Sequence, residues 1–143
     1  MRKPNELSNL FSDSDFEKYP FVRIPQEFKD ERGLIQNIAD GAIGDVAVIT
    51  SNSGSIRANH VHSDDWHLTF IVSGSMKYFW VDNQGLNQST TVNTAEMVFT
   101  PAQTPHKMEF LSDSVFIAIS KLNRSHEKYE ADTKKIDIDF FKA

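Results

Sequence analysis

Apolar and polar positions alternate along most of this chain. In HLTFIVS, residues 67–73, Leu68, Phe70 and Val72 fall on one side and His67, Thr69 and Ile71 on the other. That period of two is what an extended strand imposes. Similar segments recur as LIQNIAD from 34, DVAVITS from 45, SIRANHVH from 55, SMKYFWVD from 75, QSTTVN from 88, EMVFT from 96, HKMEFLS from 106 and VFIAIS from 115. Each is short, rich in Val, Ile, Phe or Thr, and bounded by Gly, Asn, Ser, Asp or Pro. The pattern predicts an all-β, antiparallel sandwich or small barrel. DERG at 30–33 predicts a turn, and VSGSMKYFW predicts a tight hairpin around Gly74. Residues 1–20 show little periodicity and read as an N-terminal arm. In the C-terminal tail, 123–143, NRSHEKYEADTKKI has the spacing of one or two amphipathic helical turns. No repeat or linker divides the chain, so residues 1–143 read as one domain.

Composition agrees. Hydrophobic residues make up 39% of the 143, with eleven Phe against six Gly and five Pro, which is globular rather than disordered. The formal net charge of −5 is spread along the chain without a basic stripe, so nucleic acid is not an expected partner. The absence of cysteine removes disulfides and thiolate chemistry. The first twenty residues lack the apolar stretch of a secretion signal, and there is no apolar run long enough for a membrane helix. A soluble, cytoplasmic protein with no membrane partner is expected.

The chemistry gathers at histidine. Three of five fall in GSIRANHVHSDDWHLTFIVSG, at His60, His62 and His67, and a fourth, His106, follows the Pro-bounded turn in TPAQTPHKMEF. His60 and His62 are two apart in a strand and project from one face. His67 opens the next strand, and His106 shares a face with Met108 and Phe110, leaving Lys107 and Glu109 on the other. A single histidine is more often a packed core or surface group than a ligand. Four on neighbouring strands instead suggest a site for one divalent transition metal: Zn, Fe, Ni, Cu or Mn. Asp64 and Asp65 read as a solvated turn, with a supporting role behind the histidines as the alternative.

The stretch resembles the first cupin motif, which runs Gly, five residues, His-x-His, three or four residues, Glu, six residues, Gly. Here it is Gly54, His60-Val61-His62, His67 and Gly74 with every spacing kept and His67 in the glutamate position. The second cupin motif is matched by Pro101 and His106, while Ala95, Gln103 and Phe110 stand where it has Gly, Gly and Asn. The resemblance implies a cupin jelly roll with His60, His62, His67 and His106 as metal ligands. Replacing the glutamate by His67 would leave the ion's charge uncompensated, making it a stronger Lewis acid that attracts an anionic substrate oxygen.

DERGLIQNI and IRANHVH further resemble elements of cupins that act on nucleotide-linked 4-keto sugars: the dTDP-4-dehydrorhamnose 3,5-epimerases, the related ketoisomerases, and cupin domains of capsular polysaccharide enzymes. By that resemblance Arg57 and Arg32 would bind the diphosphate or sugar, a task suited to an Arg fork. A metal would polarise the keto group while a base and an acid move the adjacent proton. The base implied is His60, which conflicts with its use as a ligand, and the acid would be Tyr78, for which packing beside Phe79 and Trp80 competes. Two other readings are a metal-dependent cupin dioxygenase acting on a small dicarbonyl compound and a non-catalytic binding cupin. Phe70, Trp80, Met97, Phe99, Met108 and Phe110 would line the dioxygenase's pocket, or simply form the core. The expected partners are a small-molecule substrate and a second copy of the chain, since an exposed edge strand needs covering.

Overall fold

The computed structural model describes residues 1–25, 27–123, 125 and 130–136. The fold is a β-sandwich. β1 (Glu27–Asp30) and β2 (Gly33–Gln36) form a separate hairpin. A four-stranded sheet has the order β3 (Asp45–Ser51), β10 (Ser114–Ser120), β5 (His67–Ser73), β8 (Met97–Thr100). A five-stranded sheet has the order β11 (Thr133–Lys135), β4 (Ile56–His62), β9 (His106–Phe110), β6 (Met76–Val81), β7 (Asn87–Val92). All pairings between these strands are antiparallel. This is the expected all-β jelly-roll architecture, and the nine predicted strands are all present.

Along most of β5, β8 and β10 the four-stranded sheet is covered on both faces, which explains why β5 and β10 read as nearly continuous apolar runs. Ile71, Phe116 and Ala118 face the other sheet and pack with Met76, Tyr78, Trp80, Val92 and Phe110. Leu68, Phe70, Met97, Phe99 and Ile119 face outward and are covered by Leu7, Phe11 and Phe16. The N-terminal segment is therefore part of this chain's own core. A 3₁₀ turn at Asp13–Phe16 places Phe16 edge-on to Phe99, with ring centroids 5.2 Å apart. Its aperiodic sequence follows from its irregular backbone, which presents no repeating face.

Two local expectations are corrected. β5 and β6 do not form a hairpin: the chain crosses from one sheet to the other at Gly74. There φ is 91°, and a Cβ would fall 2.7 Å from the Asp113 carbonyl oxygen, so both sterics and dihedral require glycine. In the tail, a helical turn at 130–132 gives way to β11, which pairs with β4. The rest of the stretch read as helix, 124 and 126–129, lies outside the described residues, as does 137–143. Among the described residues no helix is long and apolar enough to cross a membrane.

Candidate metal centre

The histidines converge between the two sheets. A β-bulge between Ala58 and His60, with φ of 64° at Ala58 and 59° at Asn59, re-aims the end of β4. His60 then lies opposite His106 of β9 in the strand register. Ring centroids are 4.4 Å apart for His60–His62 and 4.7 Å for His60–His106. His60, His62 and His106 each offer a nitrogen within 4.8 Å of the others, a triad able to hold one ion. His60 is 9% exposed, His62 1% and His106 3%.

The protonation state suits ligation. Burial, reinforced by the neighbouring His60, holds the His106 pKa well below its ordinary value, so the ring is neutral. Its Nδ1 lies 2.9 Å from the Thr104 carbonyl oxygen, which can only accept. Nδ1 therefore carries the proton and Nε2 the lone pair.

His67 occupies a different position. It stacks on His62 at 4.7 Å, and its Nε2 is 2.8 Å from Oδ2 of Asp65. His62, Asp65 and His67 form a second group of donor atoms within 4.8 Å of one another. Asp65 is not the solvated turn residue expected: it is 3% exposed and also accepts the Leu122 N–H at 2.9 Å. Burial would raise its pKa, but the hydrogen bond and charge of His67, the Leu122 N–H and the nearby His62 together lower it, so the carboxylate stays ionised. Asp65 thus sets a buried carboxylate beside His67, the residue at the glutamate position of the motif. Asp64 is exposed and pairs with Lys121 at 2.7 Å.

His60, His67 and His106 border a cavity of about 140 Å³ whose lining also includes Ile49, Arg57 and Thr100. Arg57 is exposed at its edge, anchored by Nε to Ser51 Oγ at 2.7 Å and by Nη2 to the Thr50 carbonyl at 2.8 Å. Arg32 is not brought to this cavity in its own chain. It sits in the β1–β2 turn, paired with Asp30 at 2.6 Å. Tyr78 also stands back: it is 1% exposed and its hydroxyl bonds Thr100 Oγ1 at 2.6 Å, so Thr100 separates it from the cavity. Burial, then the adjacent Tyr19, raises its pKa well above the ordinary value. Of the apolar residues considered as a pocket lining, Met108 alone borders the cavity, and the other five are core.

Sequence reasoning did not find the tail's contribution. Thr133 Oγ1 is 3.1 Å from His62 Nδ1, and Asp132 Oδ2 is 3.5 Å from the same atom. The helix-like composition around both residues masked the pairing of β11 with β4.

No family model matches the chain, and no curated protein sequence matches it. Solved structures do. The sugar 3,4-ketoisomerase QdtA from Thermoanaerobacterium thermosaccharolyticum, in complex with TDP, aligns with a TM-score of 0.67 at 16% identity, covering 87% of this chain and 93% of that one. ChmJ, a 3'-monoepimerase from Streptomyces bikiniensis in complex with dTDP-quinovose, gives 0.67 at 14% identity, over 80% and 67%. The capsular polysaccharide assembling protein CapF from Staphylococcus aureus gives 0.61 at 22% identity over 85% of this chain. This chain spans only 35% of CapF. The protein therefore has the fold of the small cupins found among sugar-epimerase and sugar-isomerase structures.

Proposed function

We propose that this chain is a metal-binding cupin that isomerises or epimerises a keto sugar, nucleotide-linked, in polysaccharide biosynthesis. The observation that carries it is the buried His60–His62–His106 triad, of which His60 and His106 line a small cavity edged by an anchored arginine, within the fold of sugar isomerases and epimerases. These three would hold the ion, with His67 as a fourth ligand when it turns from Asp65. A bound Zn, Fe, Ni, Cu or Mn would polarise a substrate carbonyl. Arg57 supplies the positive charge for a diphosphate or sugar oxygen at the cavity edge. A cavity of about 140 Å³ is below the roughly 300–1,000 Å³ of sites for drug-sized ligands. It takes the reacting ring and leaves the nucleotide outside, beyond Arg57.

The base must be a group that the ion does not occupy. His60 serves only in metal-free protein, whereas His67 serves in the three-ligand arrangement, where it stays on the buried carboxylate of Asp65 and borders the cavity outside the triad. Tyr78 acts through Thr100, by setting the orientation of that hydroxyl.

The small cavity also favours a second reading, a metal-dependent dioxygenase acting on a small dicarbonyl substrate. Calorimetry with TDP against native protein and Arg57→Ala separates the two. Binding weakened in Arg57→Ala supports the sugar enzyme. No binding of TDP, together with a redox-active metal, supports the dioxygenase. Ligand binding without turnover leaves the non-catalytic cupin.

A homodimer completes the proposal. β3 is an edge strand exposing Val46 and Val48, and the β1–β2 hairpin exposes Phe28, Leu34 and Ile35. Apolar edges of this kind need cover. Light scattering at micromolar concentration should give twice the chain mass, and a monomer would overturn this part.

A further inference from the structure

We propose that Asp132 and Thr133 are positioning residues for the metal centre, holding the His62 imidazole by Nδ1 so that Nε2 presents its lone pair to the triad. This rests on the metal-centre reading above. The two residues come from the tail, seventy positions beyond the histidine they serve, where Thr133 and His62 are register partners in the β11–β4 pairing. Thr133 Oγ1 lies 3.1 Å from His62 Nδ1 and Asp132 Oδ2 lies 3.5 Å from it.

A hydroxyl alone would not choose the tautomer, because it both donates and accepts. An ionised carboxylate only accepts, so its field places the proton on Nδ1 and the lone pair on Nε2. The same arrangement holds His106, where the Thr104 carbonyl receives Nδ1–H. Two of the three imidazoles are thus fixed from behind by oxygen acceptors, the arrangement that orients metal-bound histidines.

Asp132 is itself rigidly placed. Its side chain is 9% exposed. Oδ1 accepts the Asp64 N–H at 2.8 Å, Oδ2 accepts the Asp65 N–H at 3.1 Å, and its carbonyl accepts the Ser63 N–H at 2.9 Å. One residue of the tail therefore clamps the loop between His62 and His67. It fixes both the orientation of His62 and the approach of Asp65 to His67.

The test combines ¹⁵N spectroscopy of the histidine rings with zinc titration of metal-free protein, on native chain, Thr133→Val, Asp132→Asn, the double variant and Thr133→Ser. Native His62 should show the Nδ1–H tautomer, and the double variant should lose that preference with its melting transition still cooperative. Zinc affinity should fall about 10–100-fold in the double variant, with Thr133→Ser close to native. An Nε2–H tautomer in native protein, or a double variant with native tautomer and zinc affinity, overturns the inference while leaving the metal reading intact. A native chain that takes no zinc overturns the metal reading. The inference, which rests on that reading, then falls with it, whatever tautomer the variants show.

Discussion

Ala58, Ala95 and Gln103 keep a glycine-like backbone, with φ of 64°, 67° and 63°, and the last two stand where the second cupin motif carries glycine. Ala95 and Gln103 give the cleaner experiment because both are exposed and their side chains contribute little packing. Their amides are committed, Ala95 N–H to the Ile71 carbonyl at 2.8 Å and Gln103 N–H to the His62 carbonyl at 2.6 Å, so the turns cannot relax to negative φ without losing those bonds. A left-handed backbone costs an L-residue about 1–2 kcal/mol. Glycine's extra freedom in the unfolded chain offsets about 0.4–1 kcal/mol of that gain. The balance is a stabilisation of about 0.5–1 kcal/mol at each site. Ala95→Gly with Gln103→Gly should therefore raise Tm by about 3–6 °C, read by calorimetry on metal-free protein. Gly74→Ala, where space and φ both exclude a side chain, should lower it in the same assay. A double glycine variant that melts at or below the native temperature would refute the reasoning.

Phe16→Ala should destabilise by about 3–5 kcal/mol in urea unfolding, because the ring is 1% exposed against Phe99; a loss under about 1 kcal/mol would mean the arm is not part of the core. The depressed His106 pKa makes metal-free protein acid-sensitive, since the unfolded chain takes up a proton below the ordinary value of 6.5 and the folded chain does not. Stability should fall by up to about 1.4 kcal/mol per pH unit below that point, with a shallower slope in His106→Asn. At the alkaline end Tyr19, raised by burial to about 12 against bonds from Thr104 and Tyr78, resists ionising in the fold. Stability should therefore decline as pH rises from 10 toward 12, less so in Tyr19→Phe.

What the sequence made legible was what repeats or sits close together. Alternation in β3 through β10 revealed the sandwich, and His60-Val61-His62 announced its chemistry because strand geometry puts both on one side. His106 was recoverable because its strand phase agreed. The parts that escaped depend on long-range contact. Asp65 looked solvated beside Asp64, and only folding places it against Leu122 and His67. Phe11 and Phe16 carry no period because their backbone is irregular, yet they close one face of the core. At Gly74 a hairpin and a crossing between sheets need the same residue, so the local sequence could not separate them. Arg32, chosen by motif, is held by Asp30 away from its own chain's cavity.

The central claim is that His60, His62 and His106 form a metal centre. The most direct test is the metal content of protein purified without an affinity tag, native beside His62→Ala with His106→Ala. Close to one equivalent of a divalent transition metal in native protein, lost in the double variant, is the predicted result. A native chain without metal, even after incubation with Zn, Mn, Fe, Ni and Cu, would contradict it and return His60 to the role of a free acid–base group.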